Sequence, residues 1–381
     1  MNVPPQDRDV TAMIALAGLA GMGPSRLRRV YGALGAPQAW AALHDRTADG
    51  ASVAGALGGG PGAWDLVRAW RLVATGVDAE ALADHHRHLA ISVLTAGDGA
   101  WPTRLEEDED APVVLFTLGD LRLLAQPTVA IVGTRSCTHD GRAIARQLAT
   151  DLAAAGVAVI SGLAMGIDGA AHRGALAAPG GATVGVVATG LDVHYPRANA
   201  GLWDEVAARG LLVSEAPLGT QVERWRFPAR NRIVAGLADA VVVVESHEHG
   251  GSMHTVEAAL ERGRPVLAVP GAVRSPASKG TNDLLRSGAT PCCDAADVLF
   301  VLGLHVDPRP VIPPANNHAS LMRNVSAAGL AVLEAIGPLP RATDEIISMT
   351  ALPVADVLAA LEELADAGLV ERGAGWWGQM R

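Results

Sequence analysis

The stretch TVAIVGTRSCTHDGRAIARQLATDLAAAGVAVISG, residues 128–162, decides the fold. It holds a short β-branched run, a loop of glycine and hydroxyl residues, an Ala/Leu/Arg stretch with helical spacing, and a second β-branched run ending on Ser161-Gly162. Short, continuously apolar runs read as strands buried on both faces, and a helix joining two of them makes them parallel. The unit recurs: ATVGVVATG, LLVSEAP, DAVVVVES and PVLAVPG start further strands near residues 182, 211, 239 and 265, with helical stretches between. Six such strands predict an α/β core, a doubly wound, mostly parallel sheet of the Rossmann kind with helices on both faces.

Outward from this core, residues 11–44 alternate helical apolar spacing with a GMGPSR turn and an LGAPQAW turn, which predicts two short helices around a glycine hairpin. GASVAGALGGGPGAW, residues 50–64, reads as a loop followed by a helix through about residue 88, and EEDED, residues 106–110, as a solvated acidic turn. DPRPVIPPANNH has linker character. Beyond it AAGLAVLEAIG, ATDEIISMT and PVADVLAALEELADAGLV give three helical patterns, and ERGAGWWGQ a small hairpin, the order of a winged helix. The expected domains are an N-terminal helical module over 1–90, the core over 91–303, a linker over 304–322 and a winged-helix domain over 323–381.

Hydrophobic residues make up 49% of the 381 and charged residues 18%, yet no apolar run free of charge and glycine reaches the length of a membrane span. MNVPPQDRDV lacks the pattern of a signal peptide, so the expected location is the cytoplasm, with no membrane. Cys137, Cys292 and Cys293 are expected as reduced thiols, with no metal and no cofactor. The net charge of −10 runs against the basic balance of a nucleic-acid binder. Most of the acidity lies outside the core, however, since residues 126–303 carry 15 Lys+Arg and 16 Asp+Glu. Arg224, Arg226, Arg230 and Arg232 fall close together there and can make a local positive field.

In an open parallel sheet, ligands bind outside the carboxyl ends of the strands, where helix N-termini present N–H groups to anions. Four strand ends carry compatible loops: Gly133-Thr134-Arg135, Ser161-Gly162 with Gly166, Gly250-Gly251-Ser252, and Pro270-Gly271 with Lys279 and Asn282 downstream. A lone glycine there would signify only a tight turn; the repetition favours a site. The first loop is not the GxGxxG of a dinucleotide enzyme, no GxxxxGK[ST] occurs for ATP, and no GxSxG elbow for Ser/His/Asp catalysis. In RWRFPARNRIVAG, residues 224–236, Pro228 marks a turn or a helix start, and the helix that follows sets Arg230, Asn231 and Arg232 near its N-terminal end. Arginines gripping phosphates while Phe227 or Trp225 stacks on a base is the combination that single strands require. Phe227 reads equally well as a core plug. GGSMHTVEAAL is loosely similar to the PGGxGTxxE signature of nucleotide phosphoribohydrolases, which makes Glu257 the acid or base of an alternative, enzymatic reading.

An ordered set of motifs resembles the DNA-processing protein A (DprA/Smf) family: VAIVGTRSCTHDG (129–141), VISGLAMGIDGAAHRGAL (159–176), VVATGLDVHYPRAN (186–199), SEAPLG (214–219), RFPARNRIVAGLADAVVVVES (226–246), GGSMHTVEAAL (250–260), AVPG (268–271) and GTNDLLRSGA (280–289). The resemblance implies a Rossmann-like, non-catalytic core that binds single-stranded DNA, dimerises, protects incoming DNA and loads the RecA recombinase during natural transformation. It implies a DNA site lined by Arg135, Ser161, Gly162, Gly166, Arg226, Phe227, Arg230, Asn231, Gly250, Gly251 and Ser252. Gly133, Thr134, Arg232, Lys279 and Asn282 complete the expected set. GMGPSRLRRVYGALG resembles the SAM-like or helix-hairpin-helix extension of many members, and the tail resembles their winged helix.

Overall fold

The β-branched runs become strands, and the Ala-rich stretches between them become the helices that cover both sides. The computed structural model describes residues 5–45, 47–304, 325–337, 340–367, 369–373 and 376–379. The chain divides into two compact units, Met1–Val306 and Asp307–Arg381. In the first, β1 (Ser92–Thr95), β2 (Val114–Gly119), β3 (Thr128–Val132), β4 (Ala158–Ser161), β5 (Thr183–Val187), β6 (Leu211–Ser214), β7 (Ala240–Val243), β8 (Val266–Ala268) and β9 (Thr290–Pro291) form one sheet, ordered β1-β2-β6-β5-β4-β3-β7-β8-β9. All pairings from β6 to β9 are parallel, whereas β2 runs antiparallel to both β1 and β6. Strands β3 to β8 are the six expected from the sequence. The outer three escape the strand–helix rhythm because β1 and β2 join without a crossover helix and β9 is only two residues long.

Successive strand residues point to opposite faces, so each face builds its own core. Val129, Ile131, Val159 and Val242 pack with Leu148 and Leu152 of α7 (His139–Ala154) and with Ala170 and Ala171 of α8 (Ile167–Ala177). On the other face Ala130, Val132, Ile160 and Val241 meet Ile233, Val234 and Leu237 of α10 (Arg226–Leu237) and Val256 and Ala259 of α11 (Met253–Glu261). Each fully buried aliphatic side chain contributes roughly 1.5–3 kcal/mol. Helices α7 and α8 touch backbone to side: a Cβ on Gly174 would lie 2.1 Å from the Arg146 carbonyl oxygen.

The N-terminal helices α1 (Pro5–Ala17), α2 (Pro24–Leu34), α3 (Ala36–His44), α4 (Ala51–Ala56), α5 (Pro61–Ala74) and α6 (Ala79–His88) enclose Met13, Leu16, Leu27, Leu43 and Trp70 in a cluster that continues into Phe116 and Leu212 of the sheet. Residues 36–44 and 51–56 are helical where a turn and a loop were expected. A proline in the first turn of α3 is compatible with a helix start, and Gly50 takes the left-handed conformation that launches α4. The helix expected through residue 88 is broken at 75–78, where the Asp78 carboxylate caps α6 by accepting from the Ala81 N–H at 3.0 Å. EEDED is not simply a solvated turn. Asp108 accepts from Arg262 Nε at 2.7 Å with both side chains under a tenth exposed, and Asp110 pairs with Arg28 of α2 at 2.8 Å.

The second unit has α14 (Ala327–Ile336), β10 (Arg341–Ala342), α15 (Thr343–Thr350), α16 (Val354–Asp366), β11 (Val370–Arg372) and β12 (Trp376–Gln379), with an antiparallel sheet ordered β10-β12-β11. Val332, Ile346, Val357, Leu361 and Trp377 form its core. Three helices and a wing are the arrangement that the sequence predicts.

Candidate nucleic-acid interface

Strand order reverses at β3, which has β4 on one side and β7 on the other. At such a switch point the loops leaving the carboxyl ends diverge and open a crevice. The loop after β3 is pinned from the β7 side: the Thr134 N–H donates to the Glu245 carbonyl at 2.8 Å, and the Glu245 carboxylate accepts from the N–H and Oγ1 of Thr138 at 2.9 and 2.6 Å. This leaves Arg135 exposed and in no ion pair among the described residues, its charge acting on the buried Asp168 carboxyl. Its guanidinium stands 5.2 Å from the centre of the Phe227 ring, which in turn lies 5.4 Å from the Tyr195 ring.

The loop after β4 is built around two buried groups of opposite charge, Asp168 and Arg230. The Gly162 N–H donates to Asp168 at 3.1 Å, while the Gly162 carbonyl accepts from Arg230 Nη1 at 2.8 Å and the Val186 carbonyl accepts from the same nitrogen. A Cβ on Gly162 would lie 2.6 Å from the guanidinium, so only glycine lets Arg230 sit there. Gly166 has φ +78° and its Cβ would lie 2.3 Å from the Thr134 carbonyl oxygen, which locks this loop behind the first one. Burial pushes the Asp168 carboxyl up, opposed by the charge of Arg230, and burial lowers Arg230 to about 10, so the guanidinium remains charged at neutral pH. After β7, Ser252 Oγ donates to Ser246 Oγ at 2.8 Å, and Asn231 Nδ2 on α10 donates to the Gly251 carbonyl at 3.2 Å.

These loops enclose an open cleft of about 810 Å³, with Arg135, Arg224, Tyr195, Phe227, Asn231 and Gly251 on its walls. A small annex of about 50 Å³, with Met165 and Thr189 in its lining, shares Arg135, Tyr195 and Phe227 with it. Of the expected residues, Gly133, Thr134, Arg135, Gly162, Phe227, Arg230, Asn231, Gly250, Gly251 and Ser252 come together here. Arg230 does so from beneath, only 7% exposed and held by carbonyls, not as a surface phosphate grip.

Six expected residues lie elsewhere. Ser161 is buried, its hydroxyl donating to the Ile131 carbonyl at 2.6 Å, and Gly166 is packed behind the β3 loop. Arg226 stacks 4.5 Å over Trp225 and pairs with Glu223 at 3.3 Å, facing a different groove. Arg232 grips both oxygens of Glu215 at 2.6 Å. Lys279 pairs with Glu248, and Asn282 bonds the backbone of Gly271 at 3.2 and 3.1 Å. The helical repeat explains the divergence of the arginines, because neighbouring positions on α10 point about 100° apart. Glu257 is exposed on α11, 3.4 Å from the cleft-lining His254, and does not itself line the cleft.

The expected set omitted Arg224, Tyr195, His247 and His254, although all four line the cleft. Arg224 belongs to the arginine cluster, and Tyr195 to the VVATGLDVHYPRAN motif, so both carried a signal. Among the described residues no group of His, Cys, Asp or Glu could hold a metal, and no helix is long and apolar enough to cross a membrane.

Comparison with known proteins gives the family. A family model described as DNA recombination-mediator protein A matches residues 92–303, and one described as the DprA winged helix domain matches 314–375. The chain is 41% identical to the DNA processing protein DprA of Streptococcus pneumoniae over 222 residues, 58% of this chain and 77% of the relative. The X-ray structure of DNA processing protein A from that organism is similar with a TM-score of 0.64 and 32% identity, covering 79% of this chain and 98% of that one. A Helicobacter pylori structure, described as showing a unique single-stranded DNA binding mode of its DNA processing protein A, is similar with a TM-score of 0.51 and 31% identity, covering 56% of this chain and 97% of that one. With the family match spanning the whole cleft-bearing sheet, the chain belongs to the DNA recombination-mediator protein A family, the DprA/Smf proteins.

Proposed function

We propose that this chain is a non-catalytic, cytoplasmic protein that binds single-stranded DNA in the cleft at the ends of β3 and β7, acts as a homodimer, protects incoming strands and delivers them to the RecA recombinase. The observation that carries the reading is Arg135 stacked on Phe227, with the exposed Arg224 in the same cleft and neither arginine in an ion pair among the described residues. Cations that hold phosphates beside an aromatic face that takes a base are what a strand with unpaired bases requires. The single-strand binding ascribed to the Helicobacter pylori relative supports the same assignment.

Fluorescence anisotropy with labelled oligo-dT tests it across salt. Affinity is expected to fall steeply with salt, by a log–log slope of about −0.7 for each phosphate contact. Arg135→Ala and Arg224→Ala should each weaken binding about tenfold and flatten that slope by about 0.7, while Phe227→Ala should cost roughly 1–3 kcal/mol through lost stacking. No binding at low salt would sink the reading. Delivery is read separately, as faster RecA filament nucleation on the bound strand; the same rate with and without the protein would remove that part alone.

A further inference from the structure

A second and larger groove, of about 1050 Å³, adjoins the same segment. Residues 221–234 form the partition between the two. Val222, Arg224, Phe227 and Asn231 face the cleft, whereas Gln221, Glu223, Trp225, Arg226 and Ala229 face the groove. The positions of 226 and 229 against 227 and 231 are those of two sides of one helix. The opposite wall is the hairpin between α1 and α2.

The groove is cationic and carries an aromatic. Arg26, Arg29, Arg226 and the buried Arg230 line it, against two acids. Glu215 is already held by Arg232, and Glu223 is shared between Arg226 Nε at 3.3 Å and Trp225 Nε1 at 2.5 Å. Arg29 is exposed, with no acidic partner among the described residues. Trp225 is 49% exposed, a large surface for an indole, and the Arg226 guanidinium lies over its ring. The hairpin is fixed in place: Trp70 Nε1 donates to the Ala20 carbonyl at 2.8 Å and Arg26 Nη1 to the Gly21 carbonyl at 2.6 Å. The two spaces are also linked, because the small annex shares Val187 and Ala188 with the groove and Tyr195 and Phe227 with the cleft.

We propose that the groove continues the single-strand path: a strand leaving the cleft crosses the partition, lays its phosphates against Arg29, Arg26 and Arg226, and stacks a base on Trp225. This rests on the DNA reading of the cleft. It gives the N-terminal helices a part in holding DNA, as the second wall of the path, and it gives Arg226 a phosphate to hold although it lies outside the first cleft.

Oligo-dT of two lengths separates the two sites. A strand of about six nucleotides is accommodated by the cleft alone, and one of about twenty reaches the groove. Arg29→Glu is expected to weaken the longer strand at least about tenfold and to flatten its salt slope by about 0.7 or more, while the shorter strand binds as before. Trp225→Ala should likewise weaken the longer strand, and a long oligonucleotide carrying 5-iododeoxyuridine should crosslink to Trp225. Arg29 is exposed, so an unchanged thermal midpoint serves as the folding control. If the longer strand binds Arg29→Glu with parental affinity and slope while Arg135→Ala weakens both lengths, the groove proposal is overturned and the cleft reading stands. If Arg135→Ala affects neither length, both fall.

Discussion

At the scale of single residues, burial separates the arginines around the cleft more sharply than their charge does. Arg135 and Arg224 are free to meet phosphates, whereas Arg230 is a structural cation whose loss would leave the Gly162 and Val186 carbonyls and the Asp168 carboxyl without it. A change at Arg230 therefore reports on folding as well as binding. His172 on α8 is a second buried group with a measurable signature. Its Nε2 accepts from the Leu163 N–H at 3.3 Å, and its Nδ1 lies 2.7 Å from Thr183 Oγ1, which itself donates to the Val159 carbonyl at 2.8 Å. The ring is thus neutral with its proton on Nδ1. Burial, with Arg230 and Arg173 adding to it, lowers its pKa to about 3. In the unfolded chain a histidine titrates near 6.5, so between these values the unfolded state binds the extra proton. This group's contribution is complete above about pH 6.5 and lost as pH falls toward 3, at up to about 1.4 kcal/mol per pH unit. Asp168, raised by burial, acts in the opposite sense within its own window. Denaturant unfolding at pH 7, 6 and 5 should show the fall, and His172→Gln should flatten it; an equally steep profile in the variant would refute the assignment.

At the scale of elements, the contact between α7 and α8 sets where the β3 and β4 loops sit. Thr150 Oγ1 of α7 donates to the Gly174 carbonyl at 2.8 Å, and the Arg146 carbonyl oxygen fills the space where a Cβ on Gly174 would go. Gly174→Ala should push the helices apart and destabilise the chain by roughly 1–3 kcal/mol, despite the better helix propensity of alanine. A thermal midpoint that rises on this substitution would contradict the packing described. Helix α10 shows how far an element can be read in advance. Pro228 correctly announces a helix start, but which of Arg230, Asn231 and Arg232 faces the cleft depends on the rotation of the helix against the sheet. That rotation is set by Ile233, Val234 and Leu237 entering the core, a preference of the whole face that no single residue declares.

At the scale of the molecule, the two units have separate cores, and the cleft and groove both lie within Met1–Val306. Residues 304–381 carry 5 Lys+Arg against 9 Asp+Glu, a poor balance for holding phosphate. A chain ended at residue 304 should therefore bind oligo-dT within about twofold of the full chain, since independent units keep their own sites. A loss of about tenfold or more would place part of the DNA site in the winged helix.

The sequence by itself determined the six inner strands, the crossover helices, the winged helix and the glycine-containing loops that leave β3, β4 and β7. Continuous burial and the period of a helix are local properties, written wherever the chain must hide apolar surface. Only the tertiary structure decided that β1 and β2 close one side of the sheet, that Asp108 is buried on Arg262, and that Arg226, Arg230 and Arg232 point to three different surroundings. Those outcomes depend on partners far along the chain: a carboxylate 154 residues before Arg262, a carbonyl 68 residues before Arg230. A charged side chain faces water or an internal partner according to what the rest of the fold brings beside it, and spacing along the chain carries no record of that.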